Sequence, residues 1–220
     1  MARQEVAGGR WVDVGAERVG GWLERFAERH GEVVTLAGPE EVVVTAADGA
    51  VARLTVPFPP LVVDEAAADG GLAAHVLRPR RVGVLLVRLG GHAAGVFDGD
   101  RLVSSKVGSR QVHGRSSAGG WSQQRFARRR EGQVRVALAA AADVAVAQLA
   151  PVARSLDAVV LGGDRKSVEA VLADPRLAAL RPLVVPPLLD VPDPRRAVLD
   201  TTPARFRSVR VQVVDPPSGV

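Results

Sequence analysis

The stretch VGVLLVRL, Val82 to Leu89, carries one charge, Arg88, in eight otherwise uncharged positions. A run of that length without polar alternation suits a strand covered on both faces, the central strand of an α/β sheet. Two more strands follow at Ala94 to Phe97 and Arg101 to Lys106, joined by Asp98-Gly99-Asp100, a hairpin turn signal. From Ser122 the sequence is helix-like for about thirty residues, ending near Pro151 or kinking there. Then AVVLGG, Ala158 to Gly163, reads as a second buried strand, Asp164 as a helix cap, and Arg165 to Ala173 as a helix. The apolar pair Val184 and Val185 and the tail Val209 to Val214 add a strand each. Strands alternating with helices imply an α/β architecture.

Upstream lies a smaller α/β unit. Ala16 to His30 places Val19, Trp22, Leu23 and Phe26 at helical spacing, and Gly31 supplies a C-terminal stop. The aromatics of this helix read as core. EEVVVTAADGAVARLTV holds two strand-like runs around Asp48-Gly49, a hairpin signal. PFPPL, Pro57 to Leu61, breaks the pattern, with Asp64 to His75 a short helix at most. The expected division is an N-terminal unit over residues 1–77 and a larger domain over 78–220.

With 220 residues and 47% hydrophobic content the chain can bury a core. No apolar run approaches the ~20 residues that cross a bilayer, and MARQEVAGGR lacks the apolar segment of a secretory signal, so a cytoplasmic protein without a membrane partner is expected. The chain has no cysteine, which excludes disulfides and thiolate metal sites. Its four histidines, His30, His75, His92 and His113, are scattered, and neither a metal nor another cofactor is expected.

Charge is concentrated. Residues 101–135 carry nine Lys/Arg (Arg101, Lys106, Arg110, Arg115, Arg125, Arg128, Arg129, Arg130, Arg135) against one acid, Glu131, a local net of +8. The whole chain is +5, so the other residues sum to −3. A basic segment on a mildly acidic protein is the footprint of a polyphosphate partner, although a solvated helix face gives the same pattern. At the centre of the segment is GGWSQQRFARRR, Gly119 to Arg130. Taking Arg125 as zero on a helix of ~100° per residue, Arg128, Arg129 and Arg135 fall within roughly 80° of it. Val134, Leu138, Ala141 and Ala145 cluster near the opposite side, and Phe126 and Arg130 lie on the flank between the two faces. Gly132 costs such a helix about 1 kcal/mol, so a bend is possible there.

Weaker motifs take structural readings. Val82 to Leu89 contains no carboxylate to hold Mg²⁺, which disfavours a metal nuclease. GGHAAG, Gly90 to Gly95, resembles a dinucleotide fingerprint but leads into a strand, and reads as a turn. LGGDRKS, Leu161 to Ser167, offers either an anion site at a helix N-terminus or an ordinary strand-to-helix connection. His113 and Arg115 lie in QVHGRSS, either a phosphate contact or a solvated loop.

GGWSQQRFARRR resembles the Gly-Gly-Gln loop and following helix in the middle domain of archaeal and eukaryotic peptide-chain release factors. Gly119, Gly120, Ser122, Arg125, Phe126, Ala127 and Arg128 match without a gap, and Trp121 stands where those factors have glutamine. The sequence is more closely similar to the VLRF family, release-factor-like peptidyl-tRNA hydrolases of ribosome quality control whose glutamine is displaced along the loop, and specifically to its actinobacterial branch. The resemblance implies an RNase-H-like release-factor middle domain, a mixed sheet with flanking helices, preceded by the small α/β unit. It implies that Gln123 is catalytic, with Gln124 the alternative, on a loop that Gly119 and Gly120 make supple. The implied partners are the large ribosomal subunit, peptidyl-tRNA and rRNA.

Those residue types fit that chemistry. A peptidyl-tRNA ester is an activated acyl group, so its hydrolysis needs a placed water and a stabilised oxyanion more than a strong base. An amide both donates and accepts hydrogen bonds, and orients water without titrating. Arg115, Arg125, Arg128, Arg129, Arg130 and Arg135 would neutralise RNA phosphates, and Trp121 either stacks on a base or packs on its own loop. A non-catalytic rRNA- or ribosome-binding protein is the alternative function.

Overall fold

The computed structural model describes residues 9–109 and 121–216, and side chains outside 121–129. In chain order the first elements are β1 (Arg10–Val14), α1 (Val19–His30), β2 (Val33–Ala37), β3 (Glu41–Ala46), β4 (Val51–Thr55) and α2 (Leu72–Leu77). They are followed by β5 (Arg81–Arg88), β6 (Gly91–Asp98), β7 (Arg101–Ser109), α3 (Trp121–Leu149), β8 (Ala158–Gly163) and α4 (Arg165–Leu172). The last are β9 (Val184–Leu189), α5 (Arg196–Asp200), α6 (Thr202–Phe206) and β10 (Val209–Val214). Short 3₁₀ turns at Ala16–Arg18, Ala150–Ser155 and Pro175–Leu183 join some of them. The described residues form two compact units, one of residues 9–78 and 207–216, the other within Pro79–Phe206.

The first unit is an antiparallel sheet in the order β1-β10-β4-β3-β2. One face buries Val42, Val44, Ala52, Leu54, Val211 and Val213 against Val19 and Phe26 of α1 and Leu72 and Val76 of α2. Helix α1 stops at Gly31 (φ 87°), whose N–H donates to the Ala27 carbonyl. The β3–β4 hairpin turns at Gly49 (φ 92°), where Asp48 accepts from the Ala50 N–H at 2.9 Å and meets the His30 ring at 2.8 Å. The Ala50 amide first, then His30, hold the Asp48 carboxyl below its ordinary range.

Three features of this unit depart from the sequence reading. Val209–Val214, expected in the larger domain, instead lies between β1 and β4. Its valines 209, 211 and 213 need a covered face, and the gap between those strands supplies it. β1 and β2 carry no strong local signal, and both are edge strands. The helix expected over Asp64 to His75 is confined to Leu72–Leu77; Asp64 and Asp69 hold the preceding turns by accepting from Ala66, Gly71 and Ala73 amides at 2.7–3.0 Å.

The second unit holds the sheet β7-β6-β5-β8-β9. Strands β5, β6 and β7 form an antiparallel meander, while β8 and β9 run parallel to β5. Numbered within the unit, the order is 3-2-1-4-5 with only the second strand reversed, the RNase-H-like arrangement of a mixed sheet with flanking helices. Helices α3 and α4 cover one face, burying Leu85, Val87, Ala94 and Val96 under Ala141, Ala145, Leu149 and Val168. The other face meets Leu199 of α5 and Phe206 of α6, whose ring stands edge-on to Phe97 at 6.0 Å. The central strand is covered on both faces, hence its unbroken apolar run.

Gly91 to Gly95, expected to form part of a turn, is strand; only Leu89 and Gly90 (φ 118°) turn. The small residues answer close packing instead: a Cβ on Gly95 would meet Leu199 Cδ2 at 3.0 Å. Helix α3 runs unbroken through Gly132 and ends at Leu149, before Pro151 opens a 3₁₀ turn. The stretch Arg130–Ser155 is long and apolar enough to cross a bilayer by length and composition alone. In this fold its apolar face lies on the sheet.

Candidate nucleic-acid interface

The basic segment spans the whole of β7, the residues that follow it and the first half of α3. Gly119, Gly120, His113 and Arg115 lie outside the described residues. Trp121, Gln123, Gln124, Arg125, Arg128 and Arg129 are described through their backbone, which is helical. The helix already begins at Trp121, so both glutamines fall in its first turn and not in a loop before it. No residue from Trp121 to Arg130 is a helix breaker, and the two glycines end at position 120.

Two of the expected RNA contacts have described side chains. Arg130 is half-exposed and Arg135 is exposed. Further along the helix, on the opposite side, Ala141 and Ala145 are fully buried, so α3 has a charged face in its first half and a core face in its second. Arg130 and Arg135 border a groove of about 710 Å³ whose floor is Val134, Leu138 and Ala142 of α3 and Ala170 of α4. Its far wall is Asp174 and Pro175.

That wall is fixed by a charge cluster absent from the sequence reading. Arg176 donates from Nη2 to Asp174 Oδ2 at 2.7 Å and to Asp143 Oδ1 of α3 at 2.9 Å, tying the turn to the helix. Asp174 also accepts from the Arg176 N–H at 2.9 Å. The Arg176 guanidinium, and next its amide, bring the Asp174 carboxyl down to about 2. The two carboxylates in turn raise the Arg176 guanidinium further above its ordinary value. The readable signal is Asp174-Pro175, an N-cap followed by proline at the first helical position.

Other motifs resolve as structure. Asp164 caps α4 by accepting from the Ser167 N–H at 3.2 Å, so the chain's own carboxylate occupies that helix N-terminus. His30 pairs with Asp48, and the His75 ring bonds the Pro57 carbonyl at 2.9 Å. His92 is buried in β6, over Gly108 of β7. Among the described residues no three His, Asp or Glu side chains converge as a metal site.

A basic helix thus closes an RNase-H-like sheet, with two glutamines in its first turn. Residues 80–212 match the family described as the Actinobacteria/chloroflexi VLRF1 release factor. The chain belongs to this family. The match covers nearly the whole second unit, including both glutamines and all the arginines of α3. Among solved structures, that of the archaeal translation termination factor aRF1 is 17% identical, with a TM-score of 0.43 over 74% of this chain and 51% of that one. An archaeal protein has the same identity and coverage with a TM-score of 0.36. The chain thus spans about half the length of these relatives. No curated protein matches it.

Proposed function

We propose that this VLRF1-family protein is a cytoplasmic peptidyl-tRNA hydrolase that releases nascent chains from stalled large ribosomal subunits. The observation that carries the reading is the family match over 80–212, which spans the Gly119-Gly120 pair, both glutamines and the basic helix in one continuous segment. In this reading Gln123, or Gln124 beside it, orients a water against the ester carbonyl that joins peptide to tRNA. The water's oxygen bonds to the carbonyl carbon, the ester bond to the ribose oxygen breaks, and the water's proton passes to that oxygen. The carboxamide carries no charge and needs none, since the ester is activated and the task is positioning. Gly119 and Gly120 let the approach to the helix fit a narrow RNA-walled site. Arg115, Arg125, Arg128, Arg129, Arg130 and Arg135 neutralise phosphates, with Trp121 as a stacking surface.

The test compares wild type with Gln123→Ala on purified ribosome–peptidyl-tRNA complexes. Loss of a positioning group lowers such rates by about 10²–10³-fold. Unchanged turnover in Gln123→Ala excludes Gln123, and unchanged turnover with Gln124→Ala added excludes the mechanism. The exposed Arg135 and half-exposed Arg130 also support a plainer role, binding rRNA without cleavage. Salt-sensitive ribosome association with no ester cleavage by wild type would select that role.

A further inference from the structure

The first unit is acidic as a whole: its described residues, 9–78 and 207–216, carry eight arginines and twelve Asp/Glu, a net of −4. Three of those arginines nevertheless meet at one cleft of about 570 Å³, between α1 and the β1–β10 edge of the sheet. Arg25 and Arg29 reach it from α1 and Arg10 from β1, and Glu28 is the one acid among the described residues that line it. None of the three has an ion pair or hydrogen bond with another described residue, whereas Arg53 and Arg207 pair with Glu41 and Glu17. Arg25 and Arg29 are four apart, a like-charge spacing that works against an isolated helix. The acids Glu24 and Glu28 repeat that spacing on a neighbouring stripe, so α1 sorts its charges by side instead of pairing them.

The cleft also has an aromatic wall. Trp22, Phe26 and His30 form a column along α1, Trp22 stacked on Phe26 at 5.5 Å and 15° and Phe26 against His30 at 4.7 Å. Phe26 is core and His30 is held by Asp48, but Trp22 is only half-buried and lines the cleft. Guanidiniums with no partner among the described residues, set around a half-buried indole, suit a ligand that is both polyanionic and planar. A nucleotide strand has both properties: phosphates for the arginines and π-faces for the ring, with no base-edge readout required. The cleft is open and its cations come from two elements, which fits a strand laid through it better than an enclosed mononucleotide.

We infer that this cleft is a second RNA-contacting site, one that takes single-stranded RNA with a base against Trp22 and phosphates on Arg10, Arg25 and Arg29. It extends the proposed function by giving the first unit a grip on RNA separate from the basic helix.

The experiment reads the cleft itself. The chain has three tryptophans, so Trp11→Phe with Trp121→Phe leaves Trp22 as the sole reporter in the full-length protein. A single-stranded oligoribonucleotide of about 12 nucleotides, long enough for a stacking platform, should quench Trp22 fluorescence in a salt-dependent titration. Arg25→Glu with Arg29→Glu should weaken that response at least tenfold and lower the log–log salt slope by about 1.4, at ~0.7 for each phosphate no longer neutralised. Arg25→Gln with Arg29→Gln should act in the same direction, and far-UV circular dichroism establishes that each variant is folded. Absence of quenching while anisotropy reports bound RNA overturns the inference, as does an unchanged titration in a folded double variant. Equal quenching by adenosine monophosphate also overturns it, in favour of a free-nucleotide site. Gln123→Ala should leave the Trp22 response intact, so loss of ester cleavage and loss of this site are told apart.

Discussion

Gly83 of the central strand lies under Leu149 at the end of α3: a Cβ on Gly83 would stand 3.3 Å from Leu149 Cδ2 and 2.9 Å from Leu156 Cδ1. The helix that carries the basic face is therefore seated by a residue without a side chain. Gly83→Ala should destabilise the protein by about 1–3 kcal/mol, because Leu149 and Leu156 are both buried and have little room to shift. Urea unfolding followed by circular dichroism measures it, and a midpoint equal to wild type would show that α3 does not rest there.

Two other glycines should respond in opposite senses. Gly132 sits mid-helix in α3, and a methyl group there would find nothing within 4 Å, so Gly132→Ala should stabilise by up to about 1 kcal/mol through helix propensity alone. Gly163 has φ 102°, and a Cβ there would run into the Val87 carbonyl oxygen of β5. Gly163→Ala should cost about 1–3 kcal/mol, since backbone and not a pliable side chain must yield. Paired thermal melts of the two variants check the contrast.

The Asp174–Arg176 contact predicts a dependence on acid. The folded-state carboxyl of Asp174 titrates near 2, below its ordinary 3.8, so the folded state holds fewer protons on it than the unfolded chain. Its stabilising contribution is full above about pH 4 and disappears as the pH falls through 2. Asp174→Asn should flatten the stability profile between those limits and leave it unchanged at neutral pH apart from a constant offset. The solvent exposure of the Arg176 partner keeps the effect small, so melting temperature against pH, at low salt, is the sensitive measurement.

Arg130 and Arg135 border the groove with described side chains and are the clearest test of the basic face. Arg130→Glu with Arg135→Glu should weaken ribosome association about uniformly across complexes and reduce the salt slope by about 0.9 for each phosphate left without its arginine. Sedimentation at several salt concentrations reads this, and an unchanged slope would remove both residues from the interface.

Some of the site is legible in the chain because its signals are local. Helix α3 follows from the spacing of Val134, Leu138, Ala141 and Ala145, and the last two of these are indeed buried. The groove wall is not legible: Arg176 reaches Asp143 across thirty-odd positions, and nothing at either place announces the other. Glycines mislead at Gly91 to Gly95, where they make room for α5 and its neighbours and not for a turn.

Amino-acid order alone is enough for the central strand Val82–Val87, the capped helix after Asp164, the hairpin at Asp48-Gly49 and the concentration of positive charge around the start of α3. Each depends on neighbours within one or two turns or on simple composition, so residue chemistry and position suffice. The pairing of Val209 with Val14, which returns the last strand to the first sheet, emerges on folding and has no local signature. The same holds for the meeting of Arg10 with Arg25 and Arg29. Those pairings join distant parts of the chain, and their register is chosen by which apolar face remains to be covered once the local elements have formed.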